Sequence, residues 1–185
     1  RRLVVMGGGY PSRSSETNLA GDPVAAQRVA SEWPTRVVWS GYEVGDAVRT
    51  GDTISLTHPT GSPVRVAYEA YVGARRSIES YDLTAVYHAV RALDPVFGVR
   101  GPGRNVVSSV GGNTFTARSG DQYYLTLPGV TPAEDAIEGL LGVVPGAGTP
   151  SSGPTDDFSG AALDPAQWQV GSTGSSVGIA NGQLE

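Results

Sequence analysis

The side chains best suited to chemistry gather in one stretch, MGGGYPSRSSETNLAGDP, residues 6–23. Glu16 and Asn18 stand one residue apart there, behind the turn Gly7-Gly8-Gly9 and ahead of Asp22-Pro23. A carboxylate and a carboxamide on one loop can accept from and donate to hydroxyl groups with fixed geometry. The stretch follows the apolar run Leu3-Val4-Val5. The pair is therefore expected on a loop at the carboxyl end of a buried strand, where open α/β sheets bind small molecules. Spacing alone favours ordinary solvated loop residues, so a function for the pair has to come from the wider order of the chain. The remaining candidates read as bland. Glu43 follows a strand and reads as a solvated turn residue. His58 and His88 have no partner at metal-ligand spacing and read as surface residues. No GK[ST] follows the glycines and no GxGxxG is present, so they are not a phosphate loop. Trp33, Trp39 and Trp168 read as core.

The elements that would position these residues read as α/β. Leu3 to Met6 is a continuous apolar run, as in a parallel strand buried on both faces. Asp22 can cap a helix with Pro23 in its first turn. Ala25, Ala26, Val29 and Ala30 give that helix an apolar stripe, and Pro34 ends it. Arg36–Ser40 is the next strand, which completes a right-handed βαβ unit. A polar turn, Gly41–Gly45, follows. Ser62-Pro63 opens a helix with Val64, Ala67, Tyr68, Tyr71 and Val72 on one face, closing near Ser77 to Ser80. Tyr81-Asp82 precedes another helix, with Val86, Ala89, Val90 and Leu93 on its packed face and Asp94-Pro95 as its stop. Asp82 suits the N-cap position. Val106–Ser108, Thr114–Thr116 and Tyr123–Leu127 form an antiparallel extension. Thr131-Pro132-Ala133-Glu134 is a capping box opening a last helix, packed down by Ile137, Leu140 and Leu141.

Composition excludes several classes. The 185 residues carry a formal net charge of −5, with 13 Lys plus Arg scattered along the chain. A nucleic-acid surface needs a basic stripe, which is absent. No apolar run approaches the roughly 18 residues of a membrane span. With no Cys, disulfide and thiolate chemistry are excluded. Arg1-Arg2 leads straight into a strand, so the chain is expected to begin within a domain. Residues 144–155, rich in Gly, Pro, Ser and Thr, read as a flexible linker. Residues 156–185 alternate in short segments around Asn181-Gly182, the pattern of a β-hairpin. About thirty residues cannot make a sandwich alone, so this part reads as the start of a second module.

The order of motifs over residues 1–143 resembles the C-terminal half of the inosine-uridine preferring nucleoside hydrolases, closest to a divergent hydrolase-like branch. Its carriers are Met6-Gly7-Gly8, Glu16-Thr17-Asn18, Asp22-Pro23 with its alanine-rich helix, Trp33-Pro34, Ser40-Gly41-Tyr42-Glu43-Val44-Gly45 and Tyr81-Asp82. The tail from Asp156 resembles the first strands of a concanavalin-like or laminin-G-like β-sandwich.

The resemblance implies a Rossmann-like fold, mainly parallel with a short antiparallel extension. It implies hydrolysis of the N-glycosidic bond of ribonucleosides with a bound Ca²⁺. It also implies that Glu16 and Asn18 hydrogen-bond ribose and that Asp82 is a calcium ligand. Two positions depart from the family pattern: Tyr10 stands where an asparagine is frequent, and Tyr81 where many members have histidine. Tyr10 and Tyr81 are carried as weaker substrate-binding candidates. A phenol with an ordinary pKa near ~10 is a poor acid at neutral pH. The family's general base belongs to a DxDxxxDD motif, expected upstream together with most calcium ligands, so this stretch alone is expected to be inactive. The expected partners are a small nucleoside or sugar and, through the tail, a glycan. A homo-oligomer is compatible, and a secreted or cell-surface location is expected. The alternative is a non-catalytic sugar- or glycan-binding protein on the same fold.

Overall fold

A computed structural model describes residues 2–142, 179–180 and 183–184. The chain divides into two compact units, Arg1–Val144 and Pro145–Glu185.

The first unit is mixed α/β around an open six-stranded sheet. Strands β1 (Arg2–Met6) and β3 (Arg36–Ser40) pair in parallel, with Met6 opposite Ser40. Between them, β2 (Ser12–Arg13) is an excursion, and α1 (Thr17–Gly21) and α2 (Pro23–Glu32) form the crossover. The Asp22 side chain accepts from Ala25 N at 3.0 Å with Pro23 in the first turn, the expected cap. Ala30 is buried and Ala26 and Val29 pack beside it, while Ala25 is exposed.

After β3 the expected polar turn is instead a helix, α3 (Tyr42–Ala47). It is followed by β4 (Arg49–Thr50), α4 (Ile54–Thr57), α5 (Pro63–Val72) and β5 (Ile78–Glu79), β4 and β5 pairing antiparallel. Helix α5 ends at Gly73, where its apolar period stops and before the expected close near Ser77 to Ser80, and no residue of it is fully buried. Helix α6 (Tyr81–Val90) begins at Tyr81. Its packed face is the reverse of the expected one. Thr84, Ala85, Tyr87 and His88 are buried, whereas Val86, Val90 and Leu93 are exposed.

Strands β6 (Gly98–Val107), β7 (Asn113–Ala117) and β8 (Gln122–Thr126) supply the antiparallel extension. It is continuous with the parallel part, because β8 pairs in parallel with β3 and antiparallel with β6. The order is β1-β3-β8-β6-β7-β2, so β1 forms one edge. Helix α7 (Val130–Leu141) starts at Gly129 without a side-chain cap. The expected capping box does not form: Glu134 reaches across to Arg49 N. Ile137 is buried and Leu141 packs on the core, while Leu140 is largely exposed.

Two apolar clusters flank the sheet. One joins Val38, Val44, Val48, Tyr87, Phe97, Leu125, Ala133 and Ile137. The other joins Leu19, Ala30, Val37, Trp39 and Val107. Trp39 is core as expected, but Trp33 is exposed and donates to Thr35 Oγ1 at 3.1 Å. In the second unit, β9 (Ile179–Ala180) and β10 (Gln183–Leu184) pair antiparallel on either side of Asn181-Gly182. Trp168 and the remaining tail expectations lie outside the described residues.

Candidate functional site

Strands β1 and β3 end side by side, and the loop leaving β1 carries Tyr10, Glu16 and Asn18. Behind Met6, the turn Gly7-Gly8-Gly9 needs Gly8 at φ 77°, a conformation that side chains resist. Its amides are all engaged. Gly7 N donates to Ser40 O at 3.0 Å, Gly8 N to Glu16 Oε2 at 3.0 Å and Gly9 N to Asn113 Oδ1 at 2.9 Å. Tyr10 N donates to the Glu43 carboxylate at 3.2 Å. A row of glycine amides can cradle a phosphate only when its N–H groups are open. Here the protein's own side chains and backbone fill the cradle, which excludes that use as the sequence indicated.

Glu16 is buried and serves as N-cap of α1, accepting from Asn18 N at 3.1 Å and Leu19 N at 3.2 Å as well as from Gly8. A carboxylate offers about four acceptor positions. Three are taken, two on Oε2 and one on Oε1, so one position on Oε1 is unfilled among the described residues. Asn18 donates to Met6 Sδ at 2.9 Å, and its amide oxygen has no partner among the described residues.

Opposite this wall stands the first turn of α6. Ser80 is the N-cap residue, so Asp82 lies in the first turn rather than at the cap. Its carboxylate is exposed, and it makes no hydrogen bond or ion pair among the described residues. A negative charge there is favoured by the helix dipole. Tyr81 donates to Asp46 Oδ1 at 2.9 Å, and its ring lies 5.4 Å from that of Tyr42. The hydroxyls of Tyr42 and Tyr81 hold the Asp46 carboxyl below the usual carboxylate range. Burial first, then the hydrogen bonds with Tyr42 and Asp46, push the Tyr81 phenol above its ordinary value. Tyr81 is thus a poorer acid than a free tyrosine. The close approach of α3 to α6 here depends on Gly45, where a Cβ would meet Tyr81 Cα at 2.5 Å.

Met6, Glu16, Thr17, Asn18, Tyr42, Tyr81 and Asp82 line one cleft of about 300 Å³. That is at the lower end of small-molecule sites. The structure therefore brings together Glu16, Asn18, Tyr81 and Asp82. It sets Tyr10 apart. The Tyr10 ring stacks on Tyr124 at 4.9 Å, and its hydroxyl donates to Gly7 O at 3.3 Å and accepts from Asn105 Nδ2 at 3.1 Å. Burial, with Glu43 and Glu16 nearby, raises its pKa well above the ordinary value. Tyr10 is a wedge under the glycine turn.

Met6, Thr17 and Tyr42 are lining residues that the sequence reading missed, and Tyr42 is the aromatic one. The signal was its place directly after the carboxyl end of β3. Its ring also carries the Arg13 guanidinium, 3.7 Å from the centroid. Glu43 is exposed on α3 and ties down the turn. The histidines are corrections. His58 is buried with Nδ1 2.9 Å from Ser62 Oγ and Nε2 against Leu141 O, and His88 is buried on the packed face of α6.

Among the described residues the cleft is lined by two carboxylates and no cation, with the Arg13 guanidinium held against the Tyr42 ring. It suits hydroxyl groups or a cation and repels anions. A calcium ion takes about 6–8 oxygen ligands. Among the described residues no group of three His, Cys, Asp or Glu could hold a metal. Asp82 fits as one hard-oxygen ligand, but the described residues do not make a calcium site by themselves. A larger, shallower depression of about 760 Å³, lined by Arg2, Pro34, Thr35, Arg36, Ala89 and Asp121, lies at the amino ends of β1 and β3. Arg36 and Asp121 neutralise each other there at 3.3 Å. Ligand crevices of open α/β sheets lie at the other end, where Glu16 and Asn18 are.

No family model, no curated protein and no solved structure matches this chain.

Proposed function

We propose that the cleft binds the ribose of a nucleoside and that the intact protein hydrolyses its N-glycosidic bond, on a Rossmann-like fold of the nucleoside-hydrolase type. The observation that carries the reading is the convergence of Glu16, Asn18 and Asp82 on one anionic cleft at the carboxyl ends of β1 and β3. The free Oε1 position of Glu16 and the unpartnered Asn18 amide oxygen accept from sugar hydroxyls. Tyr42 and Tyr81 give an apolar wall beside them. The absence of any lining cation among the described residues favours an uncharged nucleoside over a nucleotide.

In the reaction, water adds to the anomeric carbon, the C–N bond breaks with its electron pair on the base, and the base takes up a proton. Positive charge develops on the ribose, which the two carboxylates of the cleft stabilise. Glu16 is held by three backbone N–H groups and is poorly placed to take the water's proton. Tyr81 is a poor proton donor. Proton transfer therefore falls to groups outside the described residues. A Ca²⁺ ion, with Asp82 as one of its ligands, would hold the hydroxyls and make the water a better nucleophile by lowering its pKa. A secreted or cell-surface protein, with a glycan bound by its C-terminal unit, is part of the same proposal.

Ribose release from inosine and uridine by the full-length protein, with and without calcium, tests it. Release that is lost on chelation and reduced at least tenfold in Asp82→Asn is expected, and no release from either nucleoside would sink the hydrolase reading. Residues 1–185 alone are expected to release none. A second reading, sugar binding without hydrolysis, is favoured by the structural engagement of Glu16 and the raised Tyr81 phenol. It predicts ribose binding by a full-length protein that leaves both nucleosides intact.

A further inference from the structure

We propose that Ser40 and Thr84 are positioning residues whose hydroxyl pair sets the two walls of the cleft in register; the activity part of this proposal rests on reading the cleft as the nucleoside site. Ser40 is the last residue of β3, and both Ser40 and Thr84 are fully buried at 0% exposure. Neither lines the cleft. The Ser40 carbonyl accepts from Gly7 N at 3.0 Å, and its hydroxyl lies 2.8 Å from Thr84 Oγ1. Thr84 Oγ1 sends its own proton to Tyr81 O at 2.8 Å. A hydroxyl has a single proton to give, so Ser40 is the donor in the pair.

One hydrogen-bonded path therefore runs from Glu16 through Gly8 and Gly7 to Ser40, then through Thr84 to the turn that carries Tyr81 and Asp82. The path begins on one wall of the cleft and ends on the other. A second buried pair, Thr50 Oγ1 and Ser80 Oγ at 2.7 Å, anchors the start of α6. Ser80 N also reaches Gly45 O and Val48 O, at 3.1 and 2.9 Å. That second pair fixes where α6 begins along its axis. The Ser40–Thr84 pair fixes how far α6 stands from the glycine turn. Buried hydroxyls cost stability unless paired, and apolar residues would fill this site more simply. Directional bonds provide what apolar packing does not, which is a defined distance between Glu16 and Asp82.

The test uses the full-length protein with Thr84→Val, Thr84→Ser and Ser40→Ala. Thr84→Val keeps the volume and removes the hydroxyl; Thr84→Ser keeps the hydroxyl. Misplacing a substrate group by about 1 Å can cost about a hundredfold in rate. Thr84→Val and Ser40→Ala are expected to lower kcat for inosine at least tenfold with less than a threefold change in KM. The double variant is expected to lose no more than Thr84→Val alone, because that substitution already removes both the Ser40 contact and the bond to Tyr81 O. Thr84→Ser is expected to recover kcat to within about threefold even though a buried methyl is gone.

Amide hydrogen exchange is read alongside. Thr84→Val should accelerate exchange in both segments 7–10 and 81–84. Rates that follow the lost methyl rather than the hydroxyl would overturn the proposal, and so would exchange changes confined to α6. If the wild-type protein hydrolyses no nucleoside, the reading of the cleft fails and the exchange experiment alone decides. Coupling between the two segments then supports the register role, and its absence refutes it.

Discussion

The buried Glu16 carboxylate caps α1 and braces the glycine turn that leaves β1. The Glu-Thr-Asn order predicts a carboxylate and a carboxamide on the loop after β1, and both line the cleft there. Glutamate is not a favoured N-cap residue, so nothing in the sequence showed that its carboxylate would hold Gly8 and Leu19 N–H groups in the interior. Glu16→Ala leaves those donors unpaired and is expected to cost about 1–3 kcal/mol by urea titration. A loss below half a kcal/mol would show that water replaces the carboxylate. Tyr10 could not be placed from sequence because its partners, Tyr124 and Asn105, lie about a hundred residues away. His88 was misread for a similar reason, since its neighbours depend on which face α6 buries. Burial first, and Arg2 second, depress its folded pKa. The unfolded chain then binds the proton more readily. The stabilisation is complete above the unfolded value near ~6.5 and is lost as pH falls below it. A denaturation series between about pH 5 and 8 should show this slope, and His88→Gln should flatten it.

At the element scale, strands were legible where an apolar run was closed by turn residues. Arg36–Ser40 appears with the expected bounds. The longer helices α2, α5, α6 and α7 were legible, the short α1, α3 and α4 were not, and neither was the orientation of α6. In α6 both faces hold apolar residues, so periodicity alone could not choose between Val86-Val90-Leu93 and Ala85-Tyr87. The packed face was settled by tertiary partners, with Tyr87 edge-on to Phe97 at 5.9 Å. Val86→Lys is expected to change stability by no more than about 0.5 kcal/mol, as for other surface positions. Tyr87→Ala is expected to cost about 3–5 kcal/mol, in the range of buried aromatics. Thermal melts of the two variants read the difference, and similar losses would contradict the assigned face. Gly45→Ala places a methyl against the Tyr81 backbone. It is expected to destabilise by about 1–3 kcal/mol and to shift Asp82 relative to Glu16.

For the whole molecule, the α/β class was readable because strand, helix and strand alternate at the start of the chain. The junction between the parallel and antiparallel parts was not readable. It depends on β8 pairing with β3 across more than eighty residues of sequence. Among the described residues no helix is long and apolar enough to cross a membrane. The net charge of −5 is mirrored locally in a cleft that is lined by carboxylates and, among the described residues, by no cation. That cleft ties the account together, and ribose tests it directly because the proposed reaction does not consume it. Calorimetric titration of the full-length protein with ribose and 2-deoxyribose should show ribose binding at least tenfold tighter, about 1.4 kcal/mol for the lost hydroxyl contact. Asn18→Ala should erase that preference. Equal binding of the two sugars, or a preference unchanged in Asn18→Ala, would contradict the assignment of this cleft.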